Sequence, residues 1–197
     1  MFLRFTVENF KSFRDEAVLS FVSTARNDEP DFRIECPQLK HGVLPVVGLW
    51  GANASGKSNL LDGLLFLKGA VERSHVAWGP ADQVPFTPFR LERSAKQTTR
   101  MELEFVLEDI RYLFGMRFSA RGFEEEWLYR WPKGRRQVMY HRAESEQERW
   151  YWPALKGRKA AIAASTRSNS LFLSAAAQAN HPQLLPVYRY LVTSITG

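Results

Sequence analysis

Hydrophobic and polar positions alternate at the start of the chain. In "FLRFTVENF", Leu3, Phe5 and Val7 fall on one face and Arg4, Thr6 and Glu8 on the other. That period of two predicts a half-buried strand. "FRDEAVLSFV" repeats it with Ala17, Leu19 and Phe21, and Asp15 and Glu16 sit at a turn, so a hairpin opens the chain. Residues 24–41 are polar, contain Pro30 and Pro37, and read as a loop. "GVLPVVGLW", residues 42–50, is a short apolar run bounded by glycine, which predicts a buried strand of the parallel-sheet type. The period then becomes helical over 57–76, where Leu60, Leu61, Leu64, Leu65, Leu67 and Val71 recur near helical spacing. Lys68 and Arg73 lie towards the end of that helix, where its dipole favours cations.

Residues 77–100, with Pro80, Pro85 and Pro88, read as a loop. The period of two then returns in "RMELEFVLED", "IRYLFGMRFS", "FEEEWLYRW" and "RQVMYHR". Turns at Glu108-Asp109, Ser119–Gly122 and Pro132–Gly134 separate these runs, an antiparallel meander. Residues 143–153 are polar and rich in tryptophan, and the tail mixes an apolar run with helical segments. The organisation expected is one domain over 1–197: a hairpin and strand–loop–helix core in 1–76, the meander in 84–142, and the start of a helical region in 160–197.

Composition narrows this picture slightly. With 45% hydrophobic residues in 197, the chain has enough apolar material for a real core. A net charge of +6 leans towards anionic partners: nucleotide, nucleic acid or an acidic protein face. A single cysteine, Cys36, excludes an internal disulfide, and His41, His75, His141 and His181 are scattered without metal-site spacing. No apolar run reaches the roughly 18 residues of a membrane span, and the N-terminus lacks the pattern of a signal peptide. The expected compartment is the cytoplasm, with no membrane partner.

The stretch that carries chemistry is "WGANASGKSN", residues 50–59. A glycine, four residues and then Gly-Lys-Ser between an apolar strand and an apolar helix is the pattern of a phosphate-cradling loop. Gly51 and Gly56 let the backbone approach an anion without a side chain in the way. The N–H groups from about Asn53 to Ser58 and the positive end of the helix face the phosphates, and the expected ATP-binding residues are Gly51, Ala52, Asn53, Ala54, Ser55, Gly56, Lys57, Ser58 and Asn59. Lys57 reaches the β- and γ-phosphates and the Ser58 hydroxyl ligates Mg²⁺. The expected ligands are ATP and Mg²⁺; the guanine-reading Asn-Lys-x-Asp is absent, and nothing favours GTP. Hydrolysis needs a second carboxylate, and the nearest candidates, Glu108 and Asp109, read better as a hairpin turn.

"ENFKSF" followed by "GANASGKSNLLDGL" and a meander resembles the first half of an ATP-binding-cassette head of the SMC/RecF/RecN-like group, and within it the AAA-family ATP-binding proteins. "PFRLE", "EEEWLYRWPKGRRQ" and "NSLFLSAAAQ" fit the same pattern. The resemblance implies an α/β P-loop NTPase fold, lobe I of such a head, with an antiparallel β subdomain. It implies that Lys11 and Ser12 lie near the nucleotide, the alternative being ordinary strand-end residues. It implies a magnesium-sensing glutamine, for which Gln178 is better placed than Gln83. It also implies hydrolysis coupled to dimerisation in a complete head. Two departures stand out. Ala54 replaces a glycine, so an ordinary negative φ is expected there. The signature segment, the strand ending Asp-Glu and the switch histidine are missing, so a homodimer or a partner chain supplying the missing lobe is expected, with very slow turnover from this chain alone.

Two other readings remain: a nucleotide- or partner-binding half-domain without turnover, and a small-molecule kinase, against which the long meander argues. The basic clusters Lys133, Arg135, Arg136 and Lys156, Arg158, Lys159 are either solvated charge or contacts to DNA or RNA.

Overall fold

The computed structural model describes residues 1–24, 32–39, 42–91, 97–143 and 149–196. Half of the loop at 24–41, including Pro30 and His41, the end of "PFRLE" at Glu92, and the middle of the tryptophan-rich stretch at 144–148 lie outside the described residues.

The alternating runs form seven strands: β1 (Phe2–Glu8), β2 (Ala17–Ser20), β3 (Thr99–Leu107), β4 (Ile110–Ser119), β5 (Gly122–Trp131), β6 (Gln137–Arg142) and β7 (Trp150–Tyr151). They make one antiparallel sheet in the order β2-β1-β3-β4-β5-β6-β7. The opening hairpin and the meander are thus one structure, because β1 pairs with β3 through Phe5↔Leu103 and Val7↔Met101. The β3–β4 turn is two residues long, and Glu108 and Asp109 both adopt positive φ, 50° and 57°. That matches the turn geometry whose twist suits a two-residue hairpin.

One face of the sheet is apolar. Phe5, Val7, Met101, Leu103, Phe105, Phe114, Met116, Phe118 and Leu128 are buried against four helices. These are α1 (Lys57–Arg73), α2 (Lys159–Ser165), α3 (Phe172–Gln178) and α4 (Leu185–Ser194). Helix α1 buries Leu60, Gly63, Leu67, Ala70 and Val71. A Cβ on Gly63 would lie 3.3 Å from the Phe5 ring, so glycine there lets the helix sit down on β1. The opposite face is polar and ion-paired, through Arg4–Glu104, Arg100–Glu102 and Arg117–Glu125.

Two expectations are corrected. Residues 42–50 do not form a strand. Val46 and Trp50 are 80% and 93% exposed. An apolar run becomes a strand only when a neighbour pairs its backbone, and beyond single bridges at Val43 the described residues offer none. Helix α1 also stops at Arg73, short of residue 76. Arg167 gathers the carbonyls of the turn that follows, donating to Ser74 O (3.3 Å), His75 O (3.0 Å) and Trp78 O (3.0 Å).

Candidate functional site

After β1 the backbone turns a tight corner. Asn9 and Lys11 both take positive φ, 52° and 48°, which is costly for residues with a Cβ. Surrounding contacts hold them there. Asn9 donates to Thr98 O (2.8 Å) and accepts from the Phe89 N–H (3.1 Å). The Thr99 hydroxyl donates to Asn9 O (2.6 Å), and the Lys11 N–H donates to Thr87 O (2.8 Å). Phe10, buried at the apex, ties the corner to the core.

The loop from Gly51 to Ser55 is exposed, and Gly56 is buried beneath it. The Ser55 N–H donates to Ala52 O at 3.2 Å. Ala54 has φ +64°, which corrects the expected negative value. The loop reverses direction there, and alanine bears the strain that glycine would avoid. Gly56 caps α1 with φ +93°. A Cβ on it would also meet Ser12 Oγ at 2.7 Å and the Phe13 ring at 3.1 Å. The "ENFKSF" corner and the glycine-bearing loop therefore pack on each other.

The first turn of α1 has no side-chain cap and no acidic residue. Its N–H groups and the helix dipole give a concentrated positive end. The Lys57 ammonium lies over the loop, donating to Gly51 O and Ala52 O (2.7 Å each) and to Ser55 Oγ (3.3 Å). Ser58 is exposed on the first turn. Asn59 donates to Ser12 Oγ at 2.9 Å, and Lys11 Nζ meets Asp62 Oδ2 at 2.5 Å. Among the described residues no group of three or more His, Cys, Asp or Glu is arranged to hold a metal.

The structure therefore brings Gly51–Asn59, Lys11 and Ser12 together. It does not bring Gln178 to them. Gln178 ends α3, and α3 begins at the far end of α1, where the Leu171 N–H donates to Ser74 Oγ at 3.0 Å. Helix α1 is about 25 Å long at 1.5 Å per residue. Gln83 is exposed on the segment before β3. Lys133, Arg135 and Arg136 project from the β5–β6 turn, where Arg136 stacks over Tyr129 at 4.0 Å. Lys159 is occupied by Trp152 O (3.0 Å) and Leu155 O (2.6 Å), whereas Lys156 and Arg158 are exposed.

Sequence reasoning missed a buried charged cluster. Glu126 Oε1 accepts from the Tyr140 hydroxyl (2.7 Å) and the Leu173 N–H (3.0 Å), and its Oε2 accepts from the Phe172 N–H (2.6 Å). It caps α3 from within the core. Burial raises the Glu126 pKa against the opposing pull of Arg142, and pushes Tyr140 well up. Arg142, lowered by burial, donates to Ser170 O at 2.8 Å. The available signal was parity, since Glu126 is two residues before the buried Leu128 on one strand.

The family described as "AAA domain, putative AbiEii toxin, Type IV TA system" matches residues 46–193. No curated protein matches the chain. A solved SMC ATPase structure, from work on ATP-driven dimerization and DNA-stimulated activation, is similar at a TM-score of 0.38 and 18% identity. The similarity covers 69% of this chain and 71% of that one. Among the described residues no helix is long and apolar enough to cross a membrane.

Proposed function

This chain belongs to that AAA-domain family, and on that premise we propose that it binds ATP as the magnesium complex at residues 51–59. The observation that carries the reading is the start of α1. Its first turn is uncapped and free of acids, it follows a left-handed Gly56, and it stands beside a lysine held by loop carbonyls. Nothing within that turn neutralises its positive end, so a polyphosphate can.

Gly51 and Gly56 keep the cradle open, because a Cβ on either would meet Ser55 Oγ or Ser12 Oγ below 3.0 Å. Lys57 keeps its carbonyl contacts through some of its three N–H groups and turns another to the β- and γ-phosphates. The Ser58 hydroxyl is the protein's ligand to Mg²⁺. When bound, that ion would neutralise charge on the phosphates. Ser12, fixed by Asn59, and the neighbouring Lys11 line the approach. Gln178 stays a magnesium-sensing candidate only if another conformation carries it to the loop.

Hydrolysis belongs to a complete head in this reading. The alternative, binding without turnover, is favoured by one observation: Glu108 and Asp109 are spent on a hairpin turn. A partner is expected over Val46, Leu49 and Trp50 and the outward Leu61 and Leu65 of α1, all exposed. Such apolar surface marks an interaction site, and a second copy or a partner chain would cover it. The Lys133, Arg135 and Arg136 tip is the place for a nucleic-acid contact. The cytoplasm is the compartment this reading calls for.

The test is titration of a fluorescent ATP analogue with Mg²⁺ against wild type and Lys57→Ala. The expected result is at least about tenfold weaker binding in the variant, or roughly 1.4 kcal/mol. Equal affinity for both would overturn the reading.

A further inference from the structure

We propose that Asp62 restrains Lys11, holding its ammonium back from the phosphate site, and that an incoming polyphosphate must compete with this carboxylate for the lysine. The inference rests on the nucleotide reading above and adds a residue to it.

Asp62 is the sixth residue of α1. At 1.5 Å per residue it stands about 7 Å down the helix from the N-terminal end that faces the anion. Lys11 Nζ is bound to it at 2.5 Å. Yet the next residue, Ser12, has its Oγ against Gly56 at the mouth of the loop. The lysine stem therefore runs backwards along the helix from a root beside the cradle. Lysine carries its ammonium on a flexible four-carbon stem, so rotation about its bonds would move the charge away from Asp62 without backbone movement.

The backbone supports this reading. Lys11 has φ +48°, a conformation that lysine adopts at a steric cost, and a hydrogen bond to Thr87 O fixes it. The root is rigid and only the stem is free. The pair is also open to water, with side-chain exposures of 33% for Lys11 and 43% for Asp62. An ion pair so placed is weak and exchangeable. A polyphosphate carries more charge than one carboxylate and can take the lysine from it. Phe10, whose ring centroid lies 5.6 Å from Nζ, gives the ammonium a second weak support in the held position.

Four proteins test this: wild type, Lys11→Ala, Asp62→Asn and the double variant. The affinity of a fluorescent ATP analogue with Mg²⁺ is measured for each at low ionic strength. Asp62→Asn should bind about threefold tighter than wild type, the scale set by an exposed ion pair of up to about 1 kcal/mol. In the Lys11→Ala background the same substitution should change nothing. A Lys11-independent gain would mean that Asp62 acts through its field on the anion, and would overturn the proposal. So would unchanged or weaker binding by Asp62→Asn, the latter making Asp62 a productive positioner of Lys11. Thermal unfolding of each variant shows that the fold is retained. If wild type binds no nucleotide, the site reading itself fails. If wild type binds and Lys57→Ala does not, while Asp62→Asn behaves as wild type, only the present proposal fails.

Discussion

The hydroxyl of Ser12 lies 2.7 Å from the point that a Cβ on Gly56 would occupy, although 44 positions separate the two in sequence. A methyl group there would also have to live at φ +93°. Gly56→Ala should therefore destabilise the protein by about 1–3 kcal/mol and weaken nucleotide binding with it. Combining it with Ser12→Gly should restore part of the melting temperature, because the Ser12 collision goes while the Phe13 contact at 3.1 Å and the strain in φ stay. No recovery in the double variant would show that the contact with Ser12 is not what excludes a side chain.

Ser58 is exposed on the first turn of α1 and is the protein's proposed magnesium ligand. Ser58→Ala should weaken binding of an ATP analogue more with Mg²⁺ than with EDTA, with little change in melting temperature. An identical loss under both conditions would give Ser58 a phosphate contact rather than a metal role.

The strands were legible because β3 to β5 obey a simple rule: Met101, Leu103 and Phe105 must all face one way, and one residue of slippage would expose them. The glycine-bearing turn into α1 was legible because Gly51, Gly56 and Lys57 sit at fixed spacing ahead of an apolar helical run. Tertiary decisions were not. Residues 42–50 have the composition of a strand, but pairing partners decide the outcome, and composition does not contain them. Ala54 takes a left-handed φ because the loop's path requires it. Lys11 and Asp62, 51 positions apart, meet only because α1 folds back over the corner after β1. The Glu126 cluster escaped notice because charged residues on a strand ordinarily face water, whereas this one replaces the missing cap of α3.

Glu126 gives a stability prediction with a pH sign. Glu126→Ala leaves Arg142 buried without its carboxylate and uncaps α3, and should cost about 3–5 kcal/mol. Burial raises the Glu126 pKa in the folded state above its usual value. The protein therefore holds this proton more tightly when folded. The resulting stabilisation is full below the unfolded pKa and disappears as pH rises through the folded one. Glu126→Gln cannot titrate. Wild type should compare more favourably with it near pH 4 than near pH 7, as read by thermal unfolding. A constant difference across that range would count against a raised pKa.

His75 carries the opposite sign. Burial, and then the Arg167 guanidinium, lower its pKa below 6.5. A histidine that resists protonation when folded supports the fold above its unfolded pKa. That support is lost as pH falls through the folded value. Arg167→Ala should raise the His75 midpoint, measured by NMR titration of the ring, and flatten this acid loss. It should also lower stability at neutral pH, because three carbonyls of the turn after α1 lose their shared donor. An unmoved midpoint would show that burial alone sets it.

The place of β1 between β2 and β3 also dictates an order of events during synthesis. Its partner β2 follows within about a dozen residues, but β3 begins only at Thr99. The phosphate loop and α1 therefore emerge from the ribosome before the strand that closes the sheet behind them. Until then the corner at Asn9 lacks Thr98 and Thr99, two of the groups that hold it. Long-range strand pairing of this kind folds slowly. The nascent chain thus carries residues 51–59 for some time before the corner that packs against them is held in place.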